Sequence, residues 1–270
     1  MMKTPTSLEG RWALILGASS GFGAAAARAL ACAGMHIFGV HLDSRSTQAR
    51  ADAVRADIEA AGRQALFFNG NAADSQRRTQ MVDAIAQTLL TQEYPAVHVM
   101  LHSLAFGSLK PFIAEDPQAA ITEAQMDMTL RVMAHSLVYW TQDLLRAGVL
   151  SAGSRIFALS SAGAQRVIKP YGAVSAAKAA LESHMRQLAL ELAPLGIAVN
   201  CLVPGVADTP ASRAIPGAPE MLGQVADRHP AGRLTTPEDV AAVIVALAHP
   251  RITWLSGAVI PVDGAESIVG

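Results

Sequence analysis

The residues best suited to chemistry are a tyrosine and a lysine in the segment PYGAVSAAKAA, residues 170–180. A phenol can donate a proton or a hydrogen bond to developing negative charge, and a lysine can supply positive charge beside it. Tyr171 and Lys178 are seven positions apart, which on an α-helix means about 20° around the axis and about 10.5 Å along it. We therefore expect both side chains to face one site without direct contact, together with the hydroxyls of Ser160 and Ser161.

A glycine-rich turn occupies the segment LGASSGFGAAAA, residues 16–27, between an apolar run and an alanine-rich helix. Small residues at such a turn let the backbone approach a pyrophosphate, whose charge is stabilised by the N-terminus of the helix. Tight packing of the strand against the helix is the alternative interpretation of the glycines. The predicted nucleotide-binding residues of this phosphate loop are Gly17, Ser19, Ser20, Gly21, Phe22 and Gly23.

Seven apolar runs alternate with helical segments along the chain, which predicts a parallel sheet with helices on both faces. A single long helix is expected over residues 119–147. The stretch from Pro204 to Arg233 is rich in proline, glycine and alanine, and it is interpreted as a long loop with a substrate lid at 206–230. The predicted strands lie within residues 11–17, 35–42, 64–71, 96–105, 154–162, 197–205 and 257–264.

Composition narrows the class of protein. The chain has 270 residues, 51% of them hydrophobic, and a net charge of −1, which suits one α/β domain and argues against a nucleic-acid or membrane partner. Cys32 and Cys201 are too few and too far apart for a metal site or a disulfide framework, and we expect both in the core. A cytoplasmic location is expected.

Three motifs together resemble the short-chain dehydrogenase/reductase family: GxxxGxG in the first turn, VPG at 203–205 and VDG at 262–264. The resemblance extends over residues 8–267. It implies a single Rossmann-type doubly wound domain, a nicotinamide cofactor and a homotetramer.

Within that family, three further features resemble the bacterial enoyl-acyl-carrier-protein reductases, and most closely the NADPH-using branch found in some bacilli. These are HSLAF at 102–106, the Tyr-x6-Lys spacing, and the GAxR pattern of Gly163, Ala164 and Arg166. The resemblance implies reduction of the C=C bond of a trans-2-enoyl thioester in fatty-acid synthesis. The substrate carrier would be acyl-carrier protein, or alternatively coenzyme A.

Two departures from the common family pattern support that interpretation. Val174 stands where most members have the catalytic tyrosine, and Met133 stands where they have an asparagine that relays a proton. A thioether cannot replace the donor and acceptor of an amide. A 3-oxoacyl or other carbonyl reductase, and a non-catalytic cofactor-binding scaffold, remain alternatives.

The resemblance also implies roles for individual residues. Tyr171 would donate a hydrogen bond to the enolate oxygen, and Lys178 would bind the nicotinamide ribose. Ser161 stands where one branch has a second tyrosine, and it either contacts the substrate oxygen or supports the turn. His102 is interpreted as a turn residue bonded to the backbone.

The residues at the end of the second strand influence the choice between NADPH and NADH, because an acidic side chain there repels a 2′-phosphate. His41 occupies the usual acidic position, with Asp43 two residues later. Ser44 and Arg45 favour NADPH, whereas Asp43 favours NADH, and we expect NADPH. The remaining residues expected at the cofactor are Asn71, Ala72, Ser103, Leu104, Ala105, Ser160, Lys178, Pro204, Gly205, Val206 and Thr209.

Overall fold

A parallel sheet of seven strands organises the chain in a computed structural model that describes residues 7–269. The strand order is β3-β2-β1-β4-β5-β6-β7, and every pair of neighbours is parallel. The predicted α/β class with a single Rossmann-type, doubly wound domain is confirmed. The strands are β1 (Trp12–Leu16), β2 (His36–His41), β3 (Ala65–Asn69), β4 (Val97–His102), β5 (Arg155–Leu159), β6 (Ala198–Pro204) and β7 (Val259–Val262).

Helices cover both faces of the sheet, as the alternating pattern predicts. Along β1, Trp12 and Leu14 lie in a core with α3, α5 and α6, whereas Ala13 and Ile15 lie in a second core with α1, α2 and α9. Successive side chains of a strand point to opposite faces, so one strand contributes to both cores. The helices are α1 (Gly21–Cys32), α2 (Gln48–Ala60), α3 (Ser75–Leu89), α4 (Glu123–Leu130), α5 (Ser136–Arg146), α6 (Gly172–Leu192), α7 (Pro210–Arg213), α8 (Ala218–Arg228) and α9 (Pro237–Ala248).

The single helix predicted over 119–147 is wrong in two respects. It begins only at Glu123, because Thr122 forms a capping box with Gln125 at that point. Between α4 and α5 the backbone then forms a π-helical turn, Arg131–His135. Such turns insert one extra residue and are common at functional sites.

The long loop expected from Pro204 to Arg233 contains two helices. Thr209 caps α7 through the N–H of Ser212, and Gly217, with φ of +77°, begins α8 from a left-handed conformation. The predicted lid is therefore a pair of short helices connected by turns.

Cys32 does not lie in the core as expected. It is the last residue of α1 and is exposed, whereas Cys201 is buried in β6. Within residues 7–269, none of the helices combines the length and apolar character required to cross a bilayer. The cytoplasmic location stays a prediction.

Candidate active site

The sheet reverses its order between β1 and β4, whose following connections run in opposite directions. Ligands of open α/β sheets bind in the crevice at this point, beyond the carboxyl ends of the strands. Gly17 follows β1 and Ser103 follows β4, so the phosphate loop and the HSLAF segment meet at this crevice.

The glycines of the phosphate loop are required by close backbone contacts. Gly17 has φ of +92°, and a Cβ on it would lie 2.4 Å from the carbonyl oxygen of Ser103. A Cβ on Gly23 would lie 2.0 Å from the carbonyl oxygen of Gly17. Both distances are far below van der Waals contact, so only glycine allows the loop to fold against the end of β4.

The N-terminus of α1 opens onto a cavity of about 400 Å³. Ser20 is its N-cap residue, but its side chain makes no capping hydrogen bond. The first N–H groups of a helix need acceptors, and phosphate oxygens satisfy them well. Glycine backbone, an uncapped helix and an adjoining cavity together fit a dinucleotide. The cavity lining includes Ser19, Ser20, Gly21, Ala24, Arg28, Arg50 and Thr209.

The acidic side chain after β2 faces the phosphate loop. The Asp43 carboxylate lies 2.9 Å from Nδ1 of His41, and both side chains are buried. Burial raises the pKa of Asp43, but hydrogen bonds from Ser19, Thr47 and His41 outweigh it and hold the pKa below its usual value. Asp43 is therefore an ionised group with several internal donors.

The two residues expected to favour a 2′-phosphate lie on the surface. The hydroxyl of Ser44 is 2.8 Å from that of Ser46, and Arg45 is exposed. Further along the same edge, Asn71 is exposed and accepts a hydrogen bond from the N–H of Ala73. Ala72 is buried, and its carbonyl accepts from the indole of Trp140.

Lys178 lies in α6 with its side chain 5% exposed. Its ammonium donates to the carbonyl oxygens of Leu159, at 2.7 Å, and Leu104, at 3.4 Å. Burial lowers the pKa of Lys178 to about 8, and the nearby carboxylate of Glu182 opposes that change. An ammonium has three N–H groups, so one donor is left for a bound molecule.

Tyr171 is the N-cap residue of α6, just outside the helix on which the spacing argument placed it. Its ring packs against Gly163, where a Cβ would lie 2.7 Å from Cε1. Burial raises the pKa of the phenol, and a hydrogen bond with Ser161 partly offsets the increase. Ser161 also accepts the N–H of Gly163 at 3.1 Å, so it supports the turn and contacts the phenol.

The two departures from the common family pattern are neighbours in space. A Cβ on Gly107 would lie 2.9 Å from Sδ of Met133 and 3.0 Å from Cγ2 of Val174. Thr129 completes this group, with its methyl 2.7 Å from the same point. Met133 and Val174 are buried, so the position beside Lys178 that would hold a phenol and an amide is filled by apolar contacts.

His102 is not a turn residue. It ends β4, is fully buried, and its Nε2 lies 2.8 Å from the hydroxyl of Ser136. The same hydroxyl lies 2.7 Å from the carbonyl oxygen of Val132, so Ser136 links the imidazole to the backbone of the π-helical turn. Burial and the nearby charge of Lys178 lower the pKa of His102 to about 3, which keeps the imidazole neutral.

The segment after β6 is already hydrogen-bonded within the chain. Pro204 ends β6, and the N–H of Gly205 donates to the carbonyl of Val262. The N–H of Val206 donates to the Glu266 carboxylate at 2.8 Å. Thr209, which caps α7, also lines the cavity at the phosphate loop, so the lid region begins beside the predicted nucleotide site.

The structure brings together most of the predicted residues but adds one that sequence reasoning missed. Glu182 is buried one helical turn after Lys178, and its carboxylate accepts a hydrogen bond from the hydroxyl of Ser160 at 2.5 Å. The four-residue spacing from Lys178 is the signal that could have identified it. Ala105 is exposed, as are Phe106 and Phe112 in the segment that follows it.

A family model described as "Enoyl-(Acyl carrier protein) reductase" matches residues 17–265. Two relatives act on other groups by name. The NADPH-dependent aldehyde reductase-like protein of Arabidopsis thaliana chloroplasts is 30% identical, over 96% of this chain and 95% of its own. Cyclohexanol dehydrogenase of Rhodococcus sp. (strain TK6) is 31% identical, over 95% of this chain and 96% of its own.

A third relative is named for an unsaturated thioester. The 1-cyclohexenylcarbonyl-CoA reductase of Streptomyces collinus is 29% identical, over 95% of this chain and 86% of its own. Among solved structures, a short-chain dehydrogenase of Burkholderia cenocepacia J2315 in complex with NADP has a TM-score of 0.81 and 29% identity, over 96% of this chain and 99% of its own. The enoyl-[acyl-carrier-protein] reductase (NADH) of Aquifex aeolicus VF5 has a TM-score of 0.83 and 22% identity, over 97% of this chain and 98% of its own. This similarity shows the shared fold alone.

Proposed function

The chain belongs to the short-chain dehydrogenase/reductase family and is an NAD(P)-dependent oxidoreductase; from that premise we propose that it reduces the C=C bond of a trans-2-enoyl thioester. One observation carries the proposal. The phenol lies at Tyr171, at the start of α6, while the usual tyrosine position is filled by Val174 in contact with Gly107. The hydroxyl is thereby displaced from the position that serves a ketone.

The displacement fits the geometry of an enoyl thioester. The reaction places negative charge on the thioester oxygen, which is two carbons away from the carbon that accepts hydride. A ketone instead develops the charge on the oxygen of the carbon that is attacked. A hydroxyl at the start of the helix therefore suits the more distant oxygen, and catalysis rests on donors aimed at the place where charge develops.

Each residue of the site would have its own role in this reaction. The bound nicotinamide would supply the hydride. The nucleotide would be held by the phosphate loop and by the free N–H of Lys178. Tyr171 donates its hydroxyl hydrogen bond to the thioester oxygen. Ser161 orients the phenol through their hydrogen bond. Hydride at the β-carbon and a proton at the α-carbon complete the reduction, and because Met133 replaces the relay amide, that proton enters from the Tyr171 side of the site.

We propose NADPH as the preferred nucleotide. The Asp43 carboxylate is buried and lies 2.9 Å from Nδ1 of His41, with Ser19 and Thr47 close by, which reduces its capacity to bind a ribose hydroxyl. The exposed Arg45 and Arg50 follow on the same segment and are available to a 2′-phosphate.

Acyl-carrier protein is proposed as the carrier, with coenzyme A as the alternative, in fatty-acid synthesis. Exposed apolar side chains follow β4 and β5, and such patches suit an acyl chain or its carrier. They are Phe106, Phe112, Ile113 and Val167. A homotetramer is also proposed, and the exposed Leu190 on the outer face of α6 supports subunit packing there.

The decisive experiment measures nucleotide oxidation by the purified protein with a trans-2-enoyl thioester and with a 3-oxoacyl thioester, each with NADPH and NADH. Turnover of the enoyl thioester alone is expected. Acyl-carrier-protein and coenzyme A forms of one acyl chain distinguish the carriers. Nucleotide binding with no turnover of either thioester would contradict the proposal and favour a non-catalytic scaffold.

A carbonyl reductase is the second candidate, because relatives such as the aldehyde reductase-like protein and cyclohexanol dehydrogenase are named for carbonyl or alcohol chemistry. In that case Tyr171 would serve a carbonyl oxygen from an unusual position. Turnover of the 3-oxoacyl thioester, without turnover of the enoyl thioester, is the outcome that selects this candidate.

A further inference from the structure

Glu182 is a buried acid that the proposed reaction does not use. It lies on α6 with 7% of its surface exposed, one turn after Lys178. A carboxylate is rarely buried without a partner, because desolvation of its charge is costly. Its burial beside a functional lysine therefore needs a physical reason.

The carboxylate contacts the end of β5. Its Oε1 accepts a hydrogen bond from the hydroxyl of Ser160 at 2.5 Å, and the N–H of Ser160 donates to the carbonyl of Leu202 at 2.8 Å. Lys178 donates to the carbonyl of Leu159, the residue immediately before Ser160. Two successive turns of α6 thus bind Leu159, the last residue of β5, and Ser160, which follows it and precedes Ser161.

The charged and titratable groups near Lys178 lie on three elements. On α6 they are Glu182 and, beyond it, the exposed Arg186, with the Tyr171 phenol at the helix start. His102 on β4 is neutral, since burial lowers its pKa to about 3. Cys201 on β6 is also neutral, since burial raises the pKa of its thiol to about 12.

Among these groups, Glu182 is the one carboxylate. Its field favours the ammonium form of Lys178, which burial disfavours. The two side chains also share no direct ion pair within the described part of the chain. The ammonium therefore keeps its free N–H for a ligand.

We infer that Glu182 is a positioning residue that keeps Lys178 charged and fixes the end of β5 through Ser160. The inference rests on the proposed function to the extent that Lys178 binds the nicotinamide ribose. It does not depend on which substrate is reduced.

The test replaces Glu182 by glutamine. Glu182→Gln keeps the size of the side chain and an oxygen that can accept from Ser160, but it removes the charge. The measurement is the Kd of NADPH, followed by protein fluorescence from pH 6 to 10, roughly the range in which a buried lysine titrates. We expect the loss of affinity at alkaline pH to begin about one pH unit lower than in the wild type.

Glu191→Gln is the matched control. Glu191 lies at the far end of α6 and is exposed, so the same charge is removed from the same helix away from Lys178. Its binding profile should coincide with that of the wild type. An equal shift in both variants would mean a general effect of charge and would overturn the role of Glu182.

Two further results keep the inference separate from folding and from the proposed reaction. Glu182→Gln with a profile unchanged from the wild type overturns the inference, whatever substrate the enzyme turns over. If the glutamine variant does not fold, NMR titration of ¹³C-labelled lysines in the wild-type protein gives the pKa of Lys178 directly. A value at or above about 8 supports the inference, and a value below neutrality overturns it.

Discussion

The phosphate loop, Gly17–Gly23, and the proposed reduction site, formed by Ser160, Ser161, Tyr171 and Lys178, are built in different ways. The loop is shaped by backbone approaching backbone, as in the contacts that exclude a Cβ from Gly17 and Gly23. The reduction site is shaped by buried side chains and by hydrogen bonds between separate elements. Backbone geometry can hold the same nucleotide in many enzymes, whereas the placement of side chains selects the reaction.

Relatives that share this family carry names from different chemistries. A glycine turn before a helix serves an aldehyde reductase or an alcohol dehydrogenase equally well. In this chain the phenol lies at Tyr171, and Val174 and Met133 contact Gly107.

The largest expected effect is at the reduction site. Tyr171→Phe removes the hydroxyl that stabilises the developing charge, and kcat should fall by about 10²- to 10³-fold. The Kd of NADPH should stay near that of the wild type, because the phosphate loop is unchanged. Tyr139→Phe is the control, since Tyr139 lies on α5 at a separate cavity; equal turnover of Tyr171→Phe and wild type would remove Tyr171 from the mechanism.

At the phosphate loop the expected effect is on binding. Gly23→Ala places a Cβ 2.0 Å from the carbonyl oxygen of Gly17, so the loop must move. A displacement of this kind should weaken NADPH binding by about 10²-fold, measured by fluorescence titration. Gly223→Ala in α8 is the control, because a Cβ there meets no atom within 4 Å. Normal NADPH binding by Gly23→Ala would mean that the loop is not shaped by this contact.

Val174→Tyr tests whether the common family site can simply be restored. The ring would have to enter space already filled by Gly107 and Met133, so the free energy of unfolding should fall by about 1–3 kcal/mol. Enoyl reduction should decrease without a gain in ketone reduction, because Met133 still replaces the relay amide. Thermal unfolding and both thioester assays check this, and a stable variant active on 3-oxoacyl thioesters would contradict it.

The pH dependence should report Lys178. Its ammonium is present below a pKa of about 8 and is lost as the pH rises through that value. Above it, kcat/KM for NADPH, which reports the free enzyme, should fall about tenfold per pH unit. Lys110→Ala is the control. It removes an ammonium that does not belong to the site around Lys178, and its pH profile of kcat/KM should match that of the wild type. A flat profile up to pH 10, roughly the ordinary range of lysine, would contradict the assignment.

The smallest expected effect is on the choice of nucleotide. Arg45→Ala removes an exposed cation near the end of β2, and exposed ion pairs contribute about 0.2–1 kcal/mol. The ratio of kcat/KM for NADPH to that for NADH should fall by no more than about fivefold. Arg77→Ala, on the exposed surface of α3, is the control. A rise in the ratio would favour NADH and the role of Asp43 in its selection.

Much of the fold could be predicted because its signals are local. Apolar runs alternating with helical segments identified the seven strands. The π-helical turn at Arg131–His135 could not be predicted, since it leaves no gap in the helical pattern. The two helices after β6 were missed because their composition resembles that of a loop.

The sequence by itself determined the seven strands and their alternation with helices, the glycine turn, and the presence of Tyr171 and Lys178 near the start of one helix. These follow from backbone sterics and helical periodicity, which act over a few neighbouring residues. Only the tertiary structure decided that His102 is buried, that Met133 meets Val174 at Gly107, and that Glu182 binds Ser160. Those outcomes depend on which distant elements pack together, and burial then sets the cost of every charge and the partner it requires.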